Sequence, residues 1–204
     1  EPWLAIAEMA LEKNDLAFTA EVLTQALTEF PEDPDVHFGL ARALSSSDSK
    51  NASLHLEAAL KANPKHIPSL LFQADRLIDA EQYATAEELL ATVLTVHPDQ
   101  SDAYAYRAVI AHLTNDPRGE VAFHDKALAG WSRNPRVDWL IGRKLSQHYR
   151  FKEGAAYQRR ALALAPKFPA SQRQLAQDLL RLGREVEGWQ VAQAAHDVDS
   201  YSVE

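Results

Sequence analysis

Residues 142–166 read GRKLSQHYRFKEGAAYQRRALALAP, with small residues at 142, 154 and 161 and a proline at 166. Each of these marks recurs along the chain. Pro31, Pro64 and Pro98 stand 33 and 34 residues apart, and 68 residues, twice 34, separate Pro98 from Pro166. The mark missing between them falls on Ser132, and one step past Pro166 lands on Ser200. A fixed period of this length is the signature of stacked supersecondary units. Six units follow, at approximately 1–33, 34–66, 67–100, 101–134, 135–168 and 169–204, predicted to form a single domain.

Inside the units the same slots return. A first small slot holds Ala7, Ala41, Ala74, Ala108, Gly142 and Ala176. A second holds Thr19, Ala52, Ala86, Gly154 and Gly188, interrupted at Glu120, where Gly119 stands alongside. A third, five residues before each closing mark, holds Ala26, Ala59, Val93, Ala127, Ala161 and Ala195. Antiparallel helices approach to about 8–10 Å only where the contacting residues are small, so the slots predict one helix pair per unit. Leu23 with Leu27, or Leu89 with Leu90 and Leu94, fill the seam at helical spacing. Asp33-Pro34, Asp116-Pro117 and Asn134-Pro135 read as N-caps followed by a first-turn proline. Ser45 to Ser49 is a polar turn with a capping residue near its end, and Gly183 marks a tight break between helices. No stretch alternates apolar and polar residues long enough to make a strand.

These residues resemble the tetratricopeptide repeat family over essentially the whole chain. The fifth unit lies nearest the family pattern, with Gly142, then Phe151-Lys152-Glu153-Gly154-Ala155, then Ala161-Leu162 and Pro166. The third follows with Ala74, Tyr83, Ala86 and Pro98. The family's tryptophan slot is kept by Trp3 and, as an aromatic, by Tyr104; His37, Leu70, Asp138 and Gln172 occupy it elsewhere. The resemblance implies an all-α fold, a right-handed α-solenoid of antiparallel helix pairs with about twelve helices, part of a longer bacterial-type repeat protein.

Composition narrows the function. The absence of cysteine excludes disulfides, thiolate-bound zinc and a cysteine nucleophile. No apolar run approaches the roughly 20 residues of a membrane helix, so no membrane insertion is expected. The net charge of −8 argues against nucleic acid as a partner. It hides an asymmetry: residues 1–100 carry 6 basic and 17 acidic groups, net −11, and residues 101–204 carry 15 and 12, net +3. There is no His-Glu-x-x-His pair, glycine-rich phosphate loop or nucleophile elbow, so no catalytic residue, metal site or cofactor is expected. His112 and Asp116 stand one turn apart, but the first helix should end between them, and they read as solvated residues near a turn. Arg143-Lys144 and Arg159-Arg160 read as solvated helix faces. Trp131 is expected to plug a gap in the stretched fourth unit, and Phe30, Phe123, Tyr157 and Trp189 to pack between repeats. Nothing in the chain fixes a compartment; a cytoplasmic location is the default expectation.

The resemblance places a ligand groove on the first helix of each unit. Carried over by position, its residues are Glu8, Phe38, Arg42, Phe72, Asp75, Tyr106, Trp139, Arg143, Arg173 and Gln177, with Glu12, Asp79, His112 and Arg181 further along the stripe. Acids mark the early units, aromatics at exposed positions the middle, and arginines the end. Arginine suits bidentate carboxylate capture and aromatics anchor hot spots. The expected function is a protein-interaction scaffold binding an extended or helical peptide, basic over the early units and acidic over the last two. The family's carboxylate clamp for acidic chaperone tails needs lysine and asparagine where this chain has Leu4, Glu8, Gly39, Pro68 and Phe72, so that ligand is not expected. An alternative comes from the tail between Gly188 and Tyr201, which is similar to the linker end of repeat proteins that continue into a metallopeptidase-like domain. The chain would then be the substrate-presenting region of an enzyme whose catalytic domain lies outside it. Self-association through the C-terminal end, near Val191, Val198, Tyr201 and Val203, is a third expectation.

Overall fold

Asp33, Asp116 and Asn134 each turn a side-chain oxygen onto backbone N–H groups of the helix that follows, and a proline opens each of those helices. The cap satisfies donors that have no intrahelical partner, and the proline removes another. Asp15 and Asp48 cap the second helices of the first two pairs in the same way. From these starts the computed structural model, which describes residues 2–198, runs through twelve helices and no strand among the described residues. They are α1 (Pro2–Glu12), α2 (Leu16–Glu29), α3 (Pro34–Leu44), α4 (Ser49–Ala62), α5 (Ile67–Asp79), α6 (Tyr83–Val96), α7 (Ser101–Leu113), α8 (Pro117–Leu128), α9 (Pro135–Gln147), α10 (Phe151–Leu164), α11 (Pro169–Arg181) and α12 (Glu185–Val198). The side chains of Glu12 and Val198, and the residues Ser200, Tyr201 and Val203, lie outside what is described.

The helices gather into two compact units, Glu1–Gln73 and Ala74–Glu204, divided inside α5. In the first, α1 packs on α2, α2 on α3 and α3 on α4. Its core is apolar: Val22, Leu23 and Ala26 meet Val36 and Leu40, with Ala7, Trp3 and Leu4 against them. In the second, α7 packs on α8 and α9, α9 on α10, α10 on α11 and α11 on α12. Every residue of the first and third small slots is buried, from Ala7 to Ala176 and from Ala26 to Ala195. Glu120, the exception in the second slot, is bridged instead: it accepts the Tyr157 hydroxyl at 2.6 Å and lies 3.0 Å from His112 Nδ1. Tyr157 is held well above the ordinary phenol range by burial and by that carboxylate.

The turns inside the pairs share one backbone solution. Asn14, Glu81, Asn115, Tyr149 and Gly183 all lie in the left-handed region, with φ between 56° and 73°. The Ser45–Asp48 turn does without it. Where the tryptophan slot holds something else, the replacement is buried and mostly bonded. His37 Nε2 lies 3.0 Å from the Pro31 carbonyl, and Gln172 Nε2 donates to the Pro166 carbonyl at 3.1 Å. Two repeats therefore replace an indole with one hydrogen bond to the preceding closing proline. Asp138 pairs with His124 at 2.9 Å, and Leu70 packs as a plain hydrophobe.

Trp131 plugs no gap. It is largely exposed, because the connection after α8 carries it into solvent. Of the second-helix aromatics, Tyr157 is buried and Phe123 half-buried, but Phe30 and Trp189 are exposed.

Candidate protein-interaction surface

In the second unit the first helices bring residues far apart in sequence onto one cluster. Asp75 of α5 stands at its centre. Its Oδ1 accepts from the Tyr106 hydroxyl of α7 at 2.9 Å, from Arg143 Nη2 of α9 at 3.2 Å and from Lys144 Nζ at 2.8 Å. Lys144 Nζ donates also to Asp79 Oδ1 at 2.8 Å and to the Asp75 carbonyl at 3.2 Å. An ammonium has three protons, and here three acceptors surround it. That is why Lys144 can be wholly buried, where an unpaired ammonium would be prohibitive. The sequence reading of Arg143-Lys144 as a solvated pair is corrected: only Arg143 keeps partial exposure.

Tyr106 is likewise interior, its ring enclosed and only its hydroxyl directed to Asp75. Ala103, Ala105, Ala108 and Ala111 leave α7 the room to take the ring in. Burial, then the Asp75 charge, raises its phenol well above the usual range. Tyr106 therefore positions the carboxylate and is not a platform for a ligand. His148 closes the cluster, its Nε2 buried without a hydrogen bond and 3.7 Å from Asp79 Oδ1. Burial lowers its pKa, and the pull of Asp79 upward does not overcome that.

At the accessible side stands Trp139, half-buried. The Arg143 guanidinium lies 5.1 Å from its ring centroid, that of Arg136 5.5 Å, and the Phe168 ring 6.0 Å. Arg136 is itself fixed by Asp102, with Nε at 3.2 Å from both carboxylate oxygens and Nη2 at 2.8 Å from one. Arg143 Nε is buried and has no partner. On α11, Arg173 is half-buried and Gln177 exposed. The expected separation of acids from bases is thus partly cancelled within this unit, because Asp75 and Arg143 bond each other across 68 residues.

In the first unit Phe38 meets Phe72 edge to face at 6.0 Å, and the Arg42 guanidinium lies 5.7 Å from the Phe38 centroid. His66 packs beside Phe38 at 5.7 Å and is held between Asp35 at 3.0 Å and Ser69 at 2.8 Å. Glu8 is exposed on α1. His112 and Asp116 do not converge: the first pairs with Glu120 and the second caps α8.

Sequence reasoning missed the buried polar residues. Ser146 Oγ lies 2.9 Å from the Gly142 carbonyl and 2.8 Å from Asp178 Oδ2, and Gln174 donates to the other Asp178 oxygen at 2.9 Å. Gln158, also buried, donates to the Trp139 carbonyl and accepts from Ser171 at 2.6 Å. One signal for them existed. Lys144 and Asp178 sit two residues after a small slot, where Ala43 and Ile110 are buried as well.

Among the described residues, twelve helices with buried small slots every 34 residues or so define an all-α helical-repeat protein. Residues 73–135 match the tetratricopeptide repeat family model, and the same helix-pair architecture lies on either side of that segment. Solved structures agree on the fold. PilF of Pseudomonas aeruginosa superposes with a TM-score of 0.63 at 16% identity, over 95% of this chain and 87% of that one. The thermophilic tetratricopeptide protein TTC0263 of Thermus thermophilus gives 0.67 at 18%, over 88% and 98%. YrrB, a tetratricopeptide protein with an unusual peptide-binding site, gives 0.51 at 15%, over 89% and 94%. No curated protein sequence matches significantly. The family's general role is protein–protein interaction, and its members are typically non-catalytic scaffolds. Among the described residues no helix is long and apolar enough to cross a membrane.

Proposed function

We propose that this chain is a non-catalytic interaction scaffold whose second unit holds a peptide segment of a partner protein against Trp139, Arg143, Arg173 and Gln177. The observation that carries this reading is the arginine-framed indole. Arg143 is tethered by Asp75 and laid over a half-buried ring, so the entropy of arranging a cation beside an aromatic is already spent before a ligand arrives. Such a pair suits a peptide presenting an apolar side chain next to a carboxylate. Asp75, Tyr106 and Lys144 act behind it as positioning residues. The fold-level likeness to YrrB, a protein described with a peptide-binding site, is consistent with this use. Nucleic acid is disfavoured by the net charge of −8.

The test is partner capture by the 204-residue chain, followed by titration of the captured partner against variants. Trp139→Ala should weaken binding by roughly 2 kcal/mol as a hot spot. Arg143→Glu with Arg173→Glu should reverse the preference for acidic segments and slow association most at low salt. Parent-like affinity in both variants, with helicity intact, would place the partner on another surface.

A further inference from the structure

Two arginines of α9 lie against the Trp139 ring, and they are held in different ways. Arg136 is gripped side-on: the Asp102 carboxylate accepts from its Nε and Nη2 together, at 3.2 and 2.8 Å. That is the geometry a guanidinium fork offers a carboxylate. Arg143, about two turns further along α9, gives Asp75 only its Nη2, at 3.2 Å, and its Nε is buried with no partner.

The repeat register explains the difference. Asp102 lies 34 residues before Arg136, one repeat back. The same step back from Arg143 reaches Val109, which is wholly buried and has no acceptor in its side chain. Arg143 therefore reaches two repeats back, 68 residues, to a carboxylate that already serves other donors. Asp75 Oδ1 accepts from the Tyr106 hydroxyl at 2.9 Å and from Lys144 Nζ at 2.8 Å, so the Arg143 contact is the longest of the three. It is also the most accessible, with 31% of the Arg143 side chain exposed. A buried N–H without an acceptor is costly, and a single N–H on an oxygen shared three ways leaves the fork half used.

Resting on the reading of Trp139 and Arg143 as the partner-facing pair, we propose that Asp75 is a built-in competitor for the partner's carboxylate. Asp75 keeps the Arg143 cation over the indole until that carboxylate replaces it. The incoming group takes the Nε–Nη2 edge of Arg143 as Asp102 takes that of Arg136, and the Asp75 contact is given up. Because Nε is covered, the guanidinium must turn over the ring to present that edge, so release and capture are one motion. Asp75 is not stranded by the exchange, since Tyr106 and Lys144 still donate to it. The ligand class is a carboxylate flanked by an apolar side chain that packs on the indole.

The experiment titrates N-acetylphenylalanine, with N-acetylphenylalaninamide as its uncharged twin, into the 204-residue chain. NMR follows the Trp139 indole N–H and the Arg143 Nε–H. The acid should move both signals, and the amide should leave the Arg143 signal in place. Asp75→Asn keeps an oxygen for Nη2 but drops the charge, and should bind the acid about fivefold tighter, the scale of a partly exposed ion pair. Asp79→Asn removes a charge bonded to Lys144 and should stay close to the parent. Circular dichroism checks that both variants fold, and the Arg143 signal of the parent is a readout that needs no variant. Three results overturn the competition and leave the Trp139 site standing: equal affinity in parent and Asp75→Asn, equal tightening by Asp79→Asn, or an Arg143 Nε–H that stays put while the indole responds. An acid that moves neither signal, in the parent or in Asp75→Asn, removes the Trp139 site and the competition with it.

Discussion

Between α2 and α3 the first unit is closed by Leu23, Ala26, Val36 and Leu40, whereas between α9, α10 and α11 the second is closed by Ser146, Gln158, Ser171 and Asp178. A glycine makes room in both places. The space a Cβ would take at Gly39 is filled by a Leu23 methyl, and at Gly154 by the Ser146 hydroxyl with the Gly142 carbonyl behind it. A methyl can rotate aside; a backbone carbonyl cannot. The same small-slot pattern therefore supports two kinds of interior. One is non-directional and tolerant of rearrangement, and the other is fixed by hydrogen bonds that must all be made.

The largest expected effect tests that contrast at Lys144. Lys144→Ala removes a wholly buried stem and takes one donor from each of two carboxylates, and should cost about 3 kcal/mol. Leu23→Ala, the control in the first unit, should cost a similar amount for cavity reasons alone. The two part company in a double-mutant cycle. Lys144→Met combined with Asp75→Asn should be less damaging than the sum of the singles by about 1 kcal/mol or more, because the second change removes a charge that the first leaves with only Arg143 as a cation partner. Denaturant unfolding of the four proteins measures it. Strict additivity would mean that the cluster is wetter and looser than its geometry.

That contrast also marks what the chain's sequence made legible. Helices, pairing, caps and small slots followed from period and local chemistry, because alanine at 26, 59 and 161 has one role wherever it stands. The burial of Lys144 did not follow, since its partners Asp75 and Asp79 lie 65 to 69 residues away. No local rule distinguishes a solvated lysine from one that finds three acceptors on another repeat. Of the residues expected to line a groove, Trp139 and Arg143 lie side by side and partly accessible on α9. Tyr106 was misjudged as exposed, because position on a helix does not say whether a ring turns inward. Exposure of Trp189 was missed for a related reason: in the interior the next repeat would cover it.

A smaller effect is expected from pH, and it too belongs to the second unit alone. Ser146 has one proton and two close acceptors, the Gly142 carbonyl and Asp178 Oδ2. With Asp178 ionised the two acceptors share that one proton, whereas a protonated Asp178 donates to Ser146 and leaves the hydroxyl proton to the carbonyl. Burial raises the Asp178 pKa, against the opposing hydrogen bonds and the more distant Arg181. A carboxyl whose folded pKa is raised contributes its full stability below the unfolded pKa, and that contribution is lost as pH rises through the folded pKa. Asp178→Asn supplies a permanent donor, so its melting temperature should exceed the parent's at neutral pH and converge on it toward about pH 4, the ordinary carboxyl range. A gap that widens on acidification would show the carboxylate ionised and well satisfied in the fold.

The smallest effect concerns the turns, where the units differ again. The second unit has left-handed residues at 81, 115, 149 and 183; the first has one, Asn14, and crosses its other turn through serines. Only Gly183 adopts that conformation without a Cβ penalty, and asparagine tolerates it better than glutamate or tyrosine. Glu81, at φ 57°, is exposed, so replacing it removes strain without opening the core. The left-handed penalty of roughly 1–2 kcal/mol is offset in part by the extra freedom glycine gains in the unfolded chain. Glu81→Gly should therefore stabilise by about 0.5 kcal/mol, a rise of roughly 1–2 °C in melting temperature for a chain of this size. Gly183→Ala should shift it downward by a comparable amount. Tyr149→Gly should gain less than Glu81→Gly, because it also forfeits the edge contact between Tyr149 and Phe151 at 5.9 Å. If Glu81→Gly lowers the melting temperature instead, the α5–α6 turn draws stability from the glutamate side chain that outweighs its backbone cost, and the 34-residue recurrence of left-handed turns is not a shared source of strain.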